Sequence, residues 1–320
     1  MDVRRAAFGD RPEAEVWAAV REGGVEERWL AAVVLGGQGH YAAAAAVLRE
    51  LIKGGGLFGS LAASTLASHR RQLGGHAAAR KLDAVALGLA EEERGREERG
   101  REKREGEKRE GEKRGRGVDS DGVDVAGAVA DALLGLAADA VGAGRVGEAR
   151  RVHGRVEALG WRSRVRHQWV AAEIELADGH AERAVEPAER AAALAREAGA
   201  TRHVLKSDLV LGTVLVVLGT PVDLDRGLDL LRCDLNHTDR RGLFSLIWPT
   251  ALVLANAQEN RTFAVGQNVK ERTQNALSCV LRRADPISRR LARQSPWIPT
   301  ALLRSGEPPN ADPETNFLTD

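Results

Sequence analysis

Apolar and polar residues recur along this chain with the 3.6-residue period of amphipathic helices, and glycines interrupt the pattern at intervals. The clearest stretch is residues 161–199, WRSRVRHQWVAAEIELADGHAERAVEPAERAAALAREAG. It predicts two helices that fold back on each other at the turn formed by Gly179 and His180. Four other stretches share this design, and the five predicted turns lie at Gly39, Gly75, Gly144, Gly179 and Gly219.

Alignment of the five turn glycines places similar residues at fixed distances from the turn. Seven residues before it the side chains are always small: Ala32, Ser68, Ala137, Ala172 and Gly212. Twelve residues after it they are always apolar: Leu51, Leu87, Val156, Ala191 and Leu231. Five residues after it stand Ala44, Arg80, Ala149, Ala184 and Leu224, of which only Arg80 departs from the pattern. Small residues let two helices approach closely, so the register predicts a helical repeat.

The register resembles the tetratricopeptide repeat, whose W-x2-L-G-x2-Y motif precedes a turn glycine, an alanine and an apolar position. The matching residues of one copy are Trp29, Ala32, Gly39, Tyr41, Ala44 and Leu51, and those of another are Trp169, Ala172, Gly179, Ala184 and Ala191. The tryptophan stands one residue nearer the turn than in the family, and the family's terminal proline is absent. The resemblance covers residues 25–90 and 123–235. It implies an α-solenoid whose concave groove binds a segment of another protein.

Composition divides the chain into four parts. Residues 1–90 are predicted to hold an opening helix at 11–22 and two hairpins, and residues 123–294 a helical-repeat domain with capping helices. Residues 91–122 are a mixed-charge linker without apolar side chains up to 117, which predicts disorder. Residues 295–320 contain five of the ten prolines and are predicted to be irregular. The predicted fold is therefore all-α, a solenoid of five or six antiparallel helical hairpins interrupted by a disordered charged linker.

Charge and cysteine content narrow the class of protein. The formal net charge of +1 excludes a global electrostatic attraction to nucleic acid or membranes, although arginines cluster at 145–167 and 270–293. The two cysteines, Cys233 and Cys279, predict reduced thiols in the cytoplasm. The longest apolar run, Leu209–Leu218, is half of the ~20 residues that a membrane span needs. We therefore expect a cytoplasmic protein without a membrane segment.

No motif with a strong link to catalysis or cofactor binding occurs. Residues 54–59, GGGLFG, satisfy G-x-G-x-x-G, but a predicted helix precedes them, which favours a flexible connection. Cys233 and His237 supply only two of the four ligands of a closed metal site. Three histidines follow turn glycines, His40, His76 and His180, and this repetition favours a structural role. We predict no catalytic, cofactor or metal site; a helical enzyme is the less favoured alternative.

The candidate partner-binding residues are two tryptophans and three arginines: Trp29, Trp169, Arg155, Arg162 and Arg166. Packing between helices is the favoured role of the tryptophans, and anchoring a peptide in the groove is the alternative. The predicted function is a non-enzymatic protein–protein interaction module, an adaptor or scaffold that binds a partner segment in a concave helical groove. A regulatory or nucleic-acid-associated module that uses the two arginine-rich patches is the alternative, and nucleic acid is the less favoured partner.

Overall fold

The computed structural model describes residues 2–107, 119–259 and 267–299, and this part of the chain contains fifteen α-helices and no β-strand. The predicted all-α class is therefore confirmed. The helices are α1 (Val3–Phe8), α2 (Trp17–Glu22), α3 (Val25–Gly37), α4 (Tyr41–Gly54), α5 (Gly56–Gln72), α6 (His76–Glu107), α7 (Val125–Gly142), α8 (Val146–His153), α9 (Trp161–Ala177), α10 (Ala181–Glu197), α11 (Thr201–Leu218), α12 (Pro221–Arg240), α13 (Phe244–Glu259), α14 (Gln267–Arg282) and α15 (Pro286–Gln294).

Twelve of the helices form six consecutive pairs, from α3–α4 to α13–α14, and the two members of each pair pack against each other. In the first five pairs the connection is only two or three residues long. So short a connection returns the chain alongside the preceding helix, which makes these pairs antiparallel hairpins. Helices α1 and α2 precede the six pairs, and α15 follows them.

Four of the hairpin turns share one hydrogen-bond pattern. At the α9–α10 turn, Gly179 has φ 81°, the His180 N–H donates to the Glu175 carbonyl (2.9 Å), and the Gly179 N–H donates to the Leu176 carbonyl (3.1 Å). The same two bonds occur around Gly39, Gly74 and Gly144. This Schellman motif pairs the last carbonyls of the first helix and needs a left-handed residue, which explains the glycine at each turn.

The predicted register is wrong by one residue in the second hairpin. The left-handed residue is Gly74 (φ 72°) and not Gly75. Counted from Gly74, the small position falls on Ala67 and the two following apolar positions on Ala79 and Ala86, which are all fully buried. Arg80 therefore occupies no core position, and the exception in the alignment disappears. Either of two adjacent glycines could adopt the turn conformation, so local sequence alone did not distinguish them.

Small residues let the paired helices approach closely, as the register predicted. A β-carbon on Gly212 in α11 would lie 2.6 Å from Leu231 Cγ in α12, which leaves no room for a side chain. In the α9–α10 hairpin the corresponding positions are held by Ala172 and Ala191, which are fully buried in one cluster.

The first helices of the six pairs are α3, α5, α7, α9, α11 and α13. Each contacts the next in this order, and α13 also contacts α3. The C-terminal end packs on the N-terminal hairpins. Arg70 of α5 forms a buried ion pair with Asp285 (2.8 Å) at the start of α15, and the Ala42 N–H donates to the Arg283 carbonyl (2.8 Å). Burial favours the neutral acid, yet the hydrogen bonds from Arg70 and Ser288 hold the pKa of Asp285 far below its usual value.

The predicted disorder of the charged linker is wrong for residues 91–107, because α6 continues to Glu107. Ion pairs between neighbouring helical turns support this extension, among them Glu91 with Arg94 and Glu93 with Arg96 (2.9 Å). Residues 108–118 lie outside the described part. The predicted units 1–90 and 123–294 share hydrophobic clusters, since Tyr41 packs with side chains between residues 205 and 298.

The two ends of the chain also differ from the prediction. Only 17–22 of the predicted opening helix is helical, as α2, and α1 was not predicted. Helix α15 lies at the end of the predicted unit 123–294. Residues 295–299 are irregular as expected, and the remaining tail lies outside the described residues. By length and composition one described helix, α7, could cross a membrane, and 72% of it is buried against the rest of the chain.

Candidate functional site beneath helix α1

Helix α1 lies across two of the first helices, α3 and α11, and one aromatic side chain points inward from it. The Phe8 ring lies 5.8 Å from the Trp29 ring and 6.4 Å from the His203 ring, centroid to centroid. The guanidinium carbon of Arg162 lies 5.2 Å from the centre of the Phe8 ring, within cation–π range. We call the surroundings of this ring the Phe8 site; its members are Phe8, Trp29, Trp161, Arg162, Trp169 and His203.

The two tryptophans at equivalent repeat positions make equivalent bonds. The Trp29 indole N–H donates to Thr65 Oγ1 on α5 (3.0 Å), and the Trp169 indole N–H donates to Ser207 Oγ on α11 (2.8 Å). In each case the acceptor is a hydroxyl on the first helix of the following hairpin. These bonds satisfy the polar end of a buried indole and fix the ring at the interface between neighbouring hairpins.

His203 fills the space between two tryptophans. Its ring stacks on Trp169 (5.6 Å, 16°) and meets the edge of Trp161 (4.9 Å, 76°). Burial, together with the positive charges of Arg202, Arg162 and Arg166, lowers the pKa of His203 well below its usual value. The ring is therefore neutral at physiological pH, and its Nδ1 is buried without a hydrogen-bond partner among the described residues.

A single carboxylate holds the arginines of the site. Asp131 of α7 accepts a hydrogen bond from Arg162 (2.6 Å) and another from Arg166. The Asp131 and Arg162 side chains are 3% and 7% exposed, so this pair is almost removed from water. Arg162 also donates to the backbone carbonyls of Asp121 (2.8 Å) and Gly122 (3.2 Å). The guanidinium group is therefore fixed over the Phe8 ring.

An acidic edge borders the site where α1 begins. Arg4 lies 2.9 Å from Asp119, 3.2 Å from Asp121 and 3.6 Å from Glu26. Burial opposes ionisation of Asp119, but hydrogen bonds from the Val123 N–H and from Arg4 lower its pKa overall. One arginine thus faces three carboxylates.

Four of the five predicted partner-binding residues come together here, and one does not. Trp29 and Arg162 contact Phe8 directly. Trp169 stacks on His203, which contacts Phe8, and Arg166 bonds Asp131, which also holds Arg162. Both tryptophans and Arg162 are buried, which agrees with packing between helices and places them away from solvent. Arg155 is exposed in the segment after α8, outside the site.

Phe8, Asp131 and His203 were not predicted from the sequence. Asp131 carried a usable signal, because an acid in the otherwise apolar segment Val125–Ala138 needs a buried partner. Phe8 carried none, since a six-residue helix is too short for a periodic pattern to stand out.

The structure divides the arginine patch at 145–167 into paired and exposed members. Besides Arg162 and Arg166, Arg150 is neutralised by Glu175 and Asp178 (2.7 Å). Arg151, Arg155 and Arg164 are exposed.

The second arginine patch, at 270–293, is also only partly paired. Arg272 pairs with Asp239 (2.8 Å), whereas Arg289, Arg290 and Arg293 of α15 have no ion-pair partner among the described residues.

The other residues that the sequence singled out for metal or nucleotide binding do not form a site in the described part of the chain. Cys233 Sγ lies 4.0 Å from His237 Nδ1, and no group of three metal-ligating residues occurs in the described ranges. The glycines at 54–59 connect the end of α4 to the start of α5, so no strand precedes them. His76 packs on Gly142, and His180 bonds the Asp178 carbonyl of its own turn (2.8 Å).

A second buried network joins helices α5, α6 and α7. Arg71 bonds Asp139 (2.8 Å) and Asp83, and both carboxylates are 1% exposed. Burial raises the pKa of Asp83; the positive charge of Arg71 opposes this shift, and the nearby Asp139 adds to it. The network cross-links three helices inside the protein.

A surface groove of about 630 Å³ lies between α10, α11 and α12. It is open to solvent, and its charged residues pair across it, Arg226 with Glu189 (2.9 Å) and Arg196 with Asp208 (2.6 Å). Its floor is formed by small or aliphatic side chains such as Ala192 and Leu211. No buried polar group points to a ligand there.

Comparison with protein-family models and with curated proteins finds no match for this sequence. The resemblance to tetratricopeptide repeats therefore depends on the residues of the register themselves.

Proposed function

We propose that this protein is a tetratricopeptide-like helical-repeat protein that acts as a non-enzymatic protein–protein interaction module. Its first helices form a continuous surface that receives a short segment of a partner protein. The observation that carries the proposal is the seating of α1, a six-residue helix that lies across α3 and α11 and buries one aromatic anchor. A groove between helices that accepts an anchored helix is a recurrent mode of peptide recognition.

The repeat register supports the solenoid part of the proposal. Equivalent small residues are buried in successive hairpins, equivalent glycines form the turns, and the two equivalent tryptophans bond the next first helix. Repeats that contact their neighbours in order build extended surfaces for binding other proteins.

The ionisable groups at the site favour binding over catalysis. His203 is neutral and enclosed by aromatic rings, and Arg162 and Arg166 are held by Asp131. Groups fixed in this way orient and select a ligand, whereas a general acid or base must reach a reacting atom.

Affinity purification with the immobilised full-length chain tests the proposal, with an extract of the source cells divided into nuclease-treated and untreated halves. We expect at least one protein to be retained from both halves and to bind again in purified form. Hydrogen exchange of the purified complex should show protection on α3 and α11. Retention that disappears with nuclease, or a purified partner that protects only other surfaces, would reject the proposal.

The nucleic-acid alternative rests on the arginines of α15, of which Arg290 and Arg293 are exposed and Arg289 is half-buried. Arg289, Arg290 and Arg293 lie on one side of that helix, where they could contact successive phosphates. Binding of a labelled oligonucleotide that weakens steeply with salt, and that is lost in the triple alanine variant, would favour this alternative.

A further inference from the structure

We propose that α1 is an intramolecular ligand of the Phe8 site, and that a partner segment replaces it there. The segment would be a short helix with a basic residue followed four positions later by an aromatic residue. This inference rests on the proposed protein-binding function and adds the chemistry of the partner segment.

The walls of the Phe8 site select an aromatic anchor. They come from three different first helices: Trp29 from α3, Arg162 from α9 and His203 from α11. The guanidinium of Arg162 gains a cation–π interaction only above an aromatic ring, and the indole of Trp29 adds a tilted ring contact. An aliphatic anchor would gain apolar contact but neither of these interactions.

The edge of the site selects a basic residue. Arg4 and Phe8 are four residues apart, so both side chains lie on the same side of α1. Three carboxylates face this one guanidinium, Asp119, Asp121 and Glu26. An empty site would leave these acids without their counter-charge, which favours a positive side chain on any segment that enters.

The backbone of α1 also fits the site closely. Ala6 and Ala7 are buried, so a segment with small residues between its two anchors can lie flat on α3 and α11. The Gly9 carbonyl accepts a hydrogen bond from the Thr201 N–H (3.0 Å) in the first turn of α11. The Thr201 N–H is at the start of α11 and therefore has no acceptor within its own helix, and no other hydrogen bond from it occurs in the described residues.

A second observation indicates a binding site and not a simple apolar core. His203 is 4% exposed beside the Phe8 ring, and its Nδ1 has no hydrogen-bond partner in the described part. An interior optimised only for packing pairs such atoms or replaces them with carbon.

The covalent link to α2 keeps α1 in place. A segment tethered by a few residues has an effective concentration of about 1 mM at its own site, so a free segment competes poorly with it. Weakening α1 in the full chain should therefore open the site to the same sequence supplied as a free peptide.

The test uses the full chain with Phe8→Ala and a fluorescent peptide of residues 2–12, DVRRAAFGDRP. Fluorescence anisotropy should show peptide binding to the Phe8→Ala protein at least tenfold tighter than to the wild-type protein. Peptides with Phe8→Ala or Arg4→Glu should each bind at least tenfold more weakly than the wild-type peptide. Trp17→Ala, which removes a partly exposed aromatic ring on α2, is the matched control and should behave like the wild-type protein.

Circular dichroism first establishes that the Phe8→Ala protein is folded at the assay temperature. If it is not, Arg4→Glu in the full chain weakens α1 without removing its apolar contacts, and the same titration applies. If the folded variant does not bind the wild-type peptide, or binds the wild-type and Phe8→Ala peptides equally well, the assignment of the Phe8 site is overturned. That result would leave the proposed function standing if the affinity purification still yields a partner that protects α3 and α11 outside the Phe8 site.

Discussion

The ion pair between Asp131 and Arg162 gives the most direct test of the buried site. Asp131→Ala removes the carboxylate that neutralises Arg162 and Arg166, whose side chains are 7% and 19% exposed. Leaving a buried charge without its partner costs about 3–5 kcal/mol of the free energy of unfolding. At about 2 °C per kcal/mol for a chain of this size, the melting temperature should fall by roughly 6–10 °C.

The matched control is Asp178→Ala, which removes a partner of Arg150 where both side chains are about 40% exposed. Exposed ion pairs contribute less than about 1 kcal/mol, so the melting temperature should fall by no more than about 2 °C. Differential scanning calorimetry at pH 7 measures both variants. If the melting temperature of Asp131→Ala falls no further than that of the control, our reasoning about the buried charge is wrong.

Three further predictions concern the register, a close contact and a buried acid. Ala172→Trp should lower the melting temperature sharply, because it overpacks the α9–α10 contact. Ala193→Trp lies on the exposed side of α10 and should change the melting temperature little, so equal melting temperatures of the two variants would refute the repeat register. Gly135→Ala would place a β-carbon against the buried carboxylate of Asp83 on α6, so the free energy of unfolding measured in urea should fall by about 1–3 kcal/mol. A β-carbon on Gly88 meets open space, so Gly88→Ala should stabilise its helix. Burial and a neighbouring carboxylate raise the pKa of Asp234 from 3.8 to about 8, so its contribution to stability is complete below pH 4 and disappears as the pH rises through about 8. The melting temperature of the wild-type protein minus that of Asp234→Asn should therefore decrease between pH 5 and pH 9, and a constant difference would contradict the raised pKa.

The sequence predicted the hairpins well because each is a local structure. The turn glycines and small positions lie within one helical pair, so their spacing contains the information that the fold uses. The error at Gly75 shows the limit of this reasoning. A β-carbon on Gly75 would lie 2.8 Å from Leu291 of α15, so this glycine is needed for a contact with the distant end of the chain.

The candidate site was only partly predictable for the same reason. Trp29 and Trp169 stood out through their repeated position, and Arg162 and Arg166 through local charge. Their assembly around Phe8 depends on how α1, α3, α9 and α11 meet, and no spacing along the chain encodes that arrangement.

The charged linker illustrates a competition that composition could not decide. Its glycines disfavour a helix by about 1 kcal/mol each relative to alanine, while ion pairs one turn apart favour it. In the structure the helical state extends to Glu107, as a continuation of the packed part of α6. A helix that is already nucleated by packing extends more readily than one that must form alone.

The buried ion pair between Arg70 and Asp285 has a consequence for how the chain unfolds. Open arrays of helical repeats can lose their terminal units one at a time, because each unit contacts only its neighbours. Here 215 residues separate the partners of a buried bond, and α13 contacts α3 as well. Neither end can therefore fray without breaking contacts of the other, and we expect unfolding to be a single cooperative event. During synthesis, the surface of the early hairpins that α15 covers must stay open until α15 itself has left the ribosome.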